Sequence, residues 1–217
     1  GNDAAVMIAK AVGKEIPKFV DMMNDKAKEL QLHSTTFSNP TGLDEEDNGN
    51  QSTVYDMARL MAYCHQNPIF NEIVSTKEYK REDGNGTWHN KNKLLTNYEY
   101  CIGGKTGFTK KARRTLITMA RKDDLDLIIV TFNCGNDFEF HQKKYEECFK
   151  NYEKLVRAGA RFTVMNKTRL LAVTVNPFSA KGSHYNKTEF YDAMCSGLGG
   201  RVPVLDVVSE FGCEAAE

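Results

Sequence analysis

Two β-rich runs separated by three polar residues restrict most tightly how this chain can fold. Thr115 to Arg121 and Leu125 to Cys134 flank Lys122-Asp123-Asp124, the spacing of a short antiparallel hairpin. Ile128, Ile129 and Val130 are consecutive apolar residues, as in a strand covered on both faces. Helical spacing lies on either side. Upstream, Ala5, Ile8, Ala9 and Val12 form one set and Ile16, Phe19, Val20, Met23, Ala27 and Leu30 the next, with Gly13 between them and Pro17 at a helix start. Downstream, Tyr145, Cys148, Phe149, Tyr152 and Leu155 recur at helical intervals. Helices before and after an antiparallel sheet predict an α+β layer fold.

The intervening segments fit this frame. His33 to Gln51 loses periodicity and reads as a long surface loop, with Asn39-Pro40 and Gly42 as turn residues. Thr53, three residues before Asp56, opens a helix in the manner of a capping box. A short helix is expected over Pro68 to Val74. Lys77 to Arg81 and Thr87 to Asn90 flank Asp83-Gly84-Asn85-Gly86, a second hairpin. Beyond Arg157, Thr168 to Val175 and Val202 to Val208 are expected strands, and Asn176 to Asn186 and Ser196 to Gly200 expected loops.

Composition removes several functions. The 217 residues carry 29 Lys plus Arg and 29 Asp plus Glu, a formal charge of zero, so a nucleic-acid binder relying on surplus cations is excluded. No apolar run reaches the ~18 residues of a transmembrane helix. The six cysteines show neither a Cys-x-x-Cys pair nor Cys/His ligand spacing, and neither a metal nor a cofactor is expected. The acidic run from Asp44 to Asn48 lacks the alternating acids of a calcium loop and reads as solvated. The five histidines are scattered and are expected at the surface or at helix caps.

The most informative string is Tyr100-Cys101-Ile102-Gly103-Gly104-Lys105-Thr106-Gly107-Phe108. A phosphate-binding loop would need Gly at position 99, which is Glu99, and a helix afterwards, where strands are expected. The competing reading is the Lys-Thr-Gly element of penicillin-interacting serine enzymes. Lys brings a fixed positive charge, Thr a short hydroxyl donor, and Gly lets a peptide backbone lie close.

The surroundings favour the second reading. Phe37-Ser38-Asn39-Pro40-Thr41-Gly42-Leu43-Asp44 and Ser52-Thr53-Val54-Tyr55-Asp56-Met57-Ala58 resemble the Asn-Pro-x-Gly-Leu and Ser-Thr-x-Tyr-Asp segments of the D-alanyl-D-alanine carboxypeptidases, the low-molecular-weight penicillin-binding proteins. Ile73-Val74-Ser75-Thr76-Lys77-Glu78-Tyr79 and Asn90-Lys91-Asn92-Lys93-Leu94-Leu95 resemble further segments in the same order. Gly1-Asn2-Asp3-Ala4-Ala5 is similar to the family's Ser-Gly-Asn and Asp-Ala-Ala from its second residue onward; as bare sequence, Asn2 reads only as a helix N-cap.

The resemblance implies a β-lactamase-like serine peptidase fold and a covalent acyl transfer that removes the last D-alanine from a cell-wall stem peptide. It implies that Lys105 and Asn2 are catalytic and that Gly1, Thr106, Gly107 and Phe108 bind substrate, with the Phe108 N–H as one oxyanion donor. It further implies β-lactams as inhibitors of the complete enzyme, an extracytoplasmic location, and membrane attachment only through parts not seen here. The family nucleophile lies in Ser-x-x-Lys, and no serine of this chain has Lys three residues later. The expectation is therefore a downstream part of such an enzyme, inactive alone and lacking the N-terminal strands and nucleophile helix. Residues 1–157 would be the partial catalytic domain, and 158–217 a C-terminal segment that could begin a small β-rich domain. Alternatives are a non-catalytic relative that binds peptidoglycan or β-lactam, and a β-lactamase-like hydrolase. Arg113-Arg114 is either a local substrate contact or exposed, with exposure favoured.

Overall fold

A computed structural model describes residues 1–45, 49–123, 125–157, 173–175 and 204–206. Helices α1 (Asn2–Gly13) and α2 (Ile16–Glu29) pack on each other. Their junction requires a glycine, because a Cβ on Gly13 would stand 2.7 Å from the Cβ of Phe19. Pro17 occupies the first turn of α2, where its missing N–H costs no hydrogen bond. Gly1, not Asn2, is the N-cap of α1, and it makes no side-chain cap. The bare-sequence expectation for Asn2 is thereby corrected by one position.

The loop that follows is fastened by its own side chains. Asn39 Oδ1 accepts from Thr41 N at 3.1 Å and Gly42 N at 2.7 Å, and Gly42 takes the positive φ of 74° that the turn needs. Asn50 Oδ1 accepts from Ser38 N at 2.7 Å and Asn39 N at 3.0 Å. Helix α3 (Val54–Cys64) begins at Thr53, whose hydroxyl accepts from Asp56 N at 3.1 Å. The reciprocal half of the capping box is absent. Asp56, 3% exposed, accepts instead from Ser34 N at 2.9 Å and Thr35 Oγ1 at 2.7 Å, tying the loop to the helix.

Helix α4 (Pro68–Ser75) is capped by Asn67, and the hairpin of β1 (Glu78–Lys80) and β2 (Thr87–His89) follows. Helix α5 (Leu94–Asn97) leads into an antiparallel sheet of β3 (Cys101–Thr109), β4 (Arg113–Lys122) and β5 (Leu125–Phe132), in that spatial order. Helix α6 (Asp137–Arg157) closes the arrangement. Two further short strands, β6 (Val173–Val175) and β7 (Val204–Asp206), pair in parallel. The other strand and loop residues expected beyond residue 157 lie outside the described residues.

Both faces of the sheet are covered, as the apolar run in β5 requires. Val54 and Ala58 of α3 pack against Val130, with Ile117, Ile128 and Phe132 around them. On the opposite face Tyr145 and Phe149 of α6 meet Ala120, Leu127 and Ile129, joined by Leu94 and Tyr98. Each such large apolar side chain contributes about 1.5–3 kcal/mol when fully buried.

Two sequence expectations are corrected on this second face. His141, expected at the surface or a cap, is fully buried: Nδ1 meets Thr118 Oγ1 at 2.7 Å and Nε2 meets Thr131 Oγ1 at 2.9 Å. Thr118 Oγ1 also bonds the Tyr145 hydroxyl at 2.8 Å. These hydroxyls make burial of the ring tolerable. Arg114, expected to be merely exposed, forms a two-pronged ion pair with the buried Asp137, at 2.7 and 3.1 Å, and stacks over Phe138.

Candidate active site

Lys105, Thr106, Gly107 and Phe108 lie in sequence along β3. Among the described residues β3 has a strand neighbour on one side only, so its other edge is open to an added peptide strand. Its register against β4 is Lys105↔Ile117, Thr106↔Leu116, Gly107↔Thr115 and Phe108↔Arg114. Because side chains alternate along a strand, Lys105 shares the face of Ile117, the one covered by α3, whereas Thr106 shares that of Leu116.

Two glycines hold β3 against its neighbours. A Cβ on Gly104 would lie 2.4 Å from the Ile117 carbonyl oxygen, and one on Gly103 2.7 Å from Cγ2 of Val74 in α4. Gly107 has its own reason within the sheet, since the Thr115 hydroxyl stands 2.4 Å from where its Cβ would be.

The Lys105 ammonium donates to the Thr106 carbonyl. Desolvation by surrounding protein holds it below the ordinary lysine value, and the charge of Lys91 acts in the same direction. The residue is exposed as a whole, so this is the shift of a partly crowded ammonium rather than a buried one. Lys91 is held by its neighbours: Asn90 Nδ2 donates to Thr76 O at 3.0 Å, and Asn92 N to Asn90 Oδ1 at 2.9 Å. Asn92 is 1% exposed, accepts from Leu94 N at 3.2 Å, and its Nδ2 stands 3.1 Å from the Cβ position of Gly104. This asparagine, whose structural part the sequence reading missed, sets the position of β3 relative to α5. Its signal was available in the segment Asn90 to Leu95.

Phe108 is exposed, at 65%, so its side chain is not part of the core. Gly1 and Asn2 are exposed at the start of α1. Asn2 makes no hydrogen bond to Lys105, Thr106 or Phe108 among the described residues. What β3 offers chemically is a cation, a hydroxyl donor and an open backbone edge, which together suit a peptide ending in a carboxylate.

The family model described as D-alanyl-D-alanine carboxypeptidase matches residues 1–136. The chain belongs to the D-alanyl-D-alanine carboxypeptidase family. It is 36% identical over 159 residues to D-alanyl-D-alanine carboxypeptidase DacF of Bacillus subtilis, covering 70% of this chain and 40% of that protein. It is 34% identical over 131 residues to DacB2 of Mycobacterium tuberculosis, covering 59% of this chain and 45% of the relative. Among solved structures it is similar to penicillin binding protein 6B from Escherichia coli, with TM-score 0.58 and 35% identity over 66% of this chain and 45% of the other. It is likewise similar to a D-alanyl-D-alanine carboxypeptidase from Mycobacterium tuberculosis, with TM-score 0.57 and 33% identity over 61% and 50%. The carboxypeptidase fold is thus shared, and the chain spans less than half the length of these two curated relatives.

Proposed function

We propose that these residues form the carboxylate-binding side of a serine-type D-Ala-D-Ala carboxypeptidase, acting on peptidoglycan stem peptides in the cell envelope outside the cytoplasm. One observation carries the reading: Lys105-Thr106-Gly107 lies on the open edge of the sheet in a chain of this family. Lys105 supplies the positive field at the terminal carboxylate, and its lowered proton affinity fits an amine beside a reacting hydroxyl. Thr106 donates a hydrogen bond to the same carboxylate. Gly107 and Phe108 pair with the substrate backbone, the Phe108 N–H serving as an oxyanion donor. Gly1 and Asn2 approach from the helical side, with the Asn2 amide holding the penultimate peptide group.

The acylating serine is not among these 217 residues, because no Ser-x-x-Lys is present. The catalytic unit is assigned to residues 1–157, and residues 158–217 to a separate C-terminal segment. A fluorescent penicillin incubated with the 217-residue chain is expected to leave no covalent label. Stoichiometric labelling of a serine in this chain, located by peptide mass spectrometry, would refute the assignment.

A further inference from the structure

The turn from β3 to β4 concentrates positive charge. Lys110, Lys111, Arg113 and Arg114 fall within five residues, and no acid occurs between Lys105 and Arg114. The structure divides these four cations. Arg114 is committed to Asp137. Lys111 is committed to the loop before α3, its N–H donating to Asp44 Oδ2 at 3.0 Å and its ammonium to the Glu45 carbonyl. Lys110 and Arg113 are exposed and have no ion pair among the described residues.

The turn is also braced. Ala112 N donates to Thr109 Oγ1 at 2.9 Å, and the Asp44 carboxylate, lowered first by the Thr109 hydroxyl and then by backbone N–H groups of the turn, anchors it. Glu45 is occupied by Asn39 Nδ2 at 2.8 Å. The described acids facing the turn are therefore engaged with groups other than the Lys110 ammonium or the Arg113 guanidinium.

Substrate direction gives these two cations a task. With the terminal carboxylate at Thr106 and the scissile carbonyl at Phe108, the bound peptide runs antiparallel to β3. Each residue upstream advances about 3.4 Å toward the turn. The residue preceding the D-Ala-D-Ala pair then falls opposite Thr109, the last residue of β3, with Lys110 next along the chain and Arg113 paired with Thr109 on the β4 side, so its side group is within reach of both long cationic side chains.

We propose that Lys110 and Arg113 select stem peptides whose residue immediately upstream of D-Ala-D-Ala carries a free carboxylate. This rests on the carboxypeptidase reading and adds the chemical class of the side group recognised. It makes the turn a specificity element; the bond-breaking groups lie elsewhere.

The test uses the 217-residue chain and two N-acetyl tripeptides ending in D-Ala-D-Ala, identical except that the first residue bears a carboxylate in one and its carboxamide in the other. Binding is followed by amide chemical shifts. The expected result is that the carboxylate peptide binds about three- to tenfold tighter, the range of two partly exposed charge contacts. It should shift Thr109 to Arg113 as well as Lys105 and Thr106. Arg113→Gln combined with Lys110→Gln should collapse the difference between the peptides, and added salt should narrow it. Equal affinities, with shifts confined to Lys105 through Phe108, would overturn the proposal and leave the carboxypeptidase reading standing. No shift of β3 by either peptide would overturn both.

Discussion

Acidification should expose the cost of burying His141. Its imidazole is fully enclosed between Thr118 and Thr131, and desolvation pushes its pKa down from the ordinary histidine value of about 6.5 to about 3. The sign follows from which state takes up the proton. Above pH 6.5 the ring is neutral in both folded and unfolded chains, so the full stability is present. As pH falls below 6.5 the unfolded chain binds a proton that the folded chain refuses, and stability is lost until the folded pKa is reached. The gap corresponds to about 5 kcal/mol in all, of which about 2 kcal/mol is lost between pH 7.5 and pH 5.0. That is a large part of the stability of an ordinary domain.

Carboxylates held low in the fold, such as Asp126 beside Arg121 and His65, lose their contribution mainly below pH 5. The higher window therefore isolates the histidine. Urea unfolding at pH 7.5, 6.5, 5.5 and 5.0 should show this decline in the natural chain. The decline should be absent in His141→Gln, whose amide can still bond both threonines. Should that variant fail to fold, the His141 ring resonances of the natural chain provide the reading: they should not titrate between pH 7.5 and 5.0. Parallel loss of stability in both proteins, or a ring titrating near 6.5, would refute the reasoning.

Three other substitutions test the packing around the candidate site. Gly104→Ala places a methyl group 2.4 Å from the Ile117 carbonyl and should destabilise the chain by about 1–3 kcal/mol or more, read as a lower thermal midpoint. Arg114→Gln leaves the Asp137 carboxylate buried with little besides the Phe138 N–H at 2.9 Å; the expected loss is about 1–3 kcal/mol by urea unfolding. Asp56→Ala removes the acceptor of the Ser34 N–H and leaves the Thr35 hydroxyl only its bond to Ser52 Oγ at 2.8 Å. It should cost about 1–3 kcal/mol and increase hydrogen exchange at Ser34 and its neighbours before it affects α6.

Periodicity made the fold class legible because the helices and the β4–β5 pair each bury a regular apolar stripe. Strand β3 escaped that logic. Gly103, Gly104, Lys105 and Thr106 give no alternation, since steric fit to Val74 and Ile117 and an open edge determine the strand rather than an apolar face. Only the likeness to a known family pointed to it. The burial of His141 was hidden for a similar reason: its partners Thr118 and Thr131 lie 23 and 10 residues away, beyond any local pattern. Arg113 and Arg114 are adjacent and identical in type, yet one is spent on Asp137 and the other left exposed, a distinction set by the fold and not by composition.

The asparagine and aspartate fasteners of the loop before α3 carry a broader consequence. Asn39, Asn50 and Asp56 spend their polar atoms on backbone groups, hydroxyls and the Glu45 carboxylate of this chain, leaving little of them to meet a ligand. The segments by which the chain is recognised are thus largely instructions for bending a loop. A protein that had exchanged this chemistry for another, or abandoned it, would still need the same bends and would still announce the same kinship. Descent is written in the fasteners, and turnover has to be read from the few groups on β3.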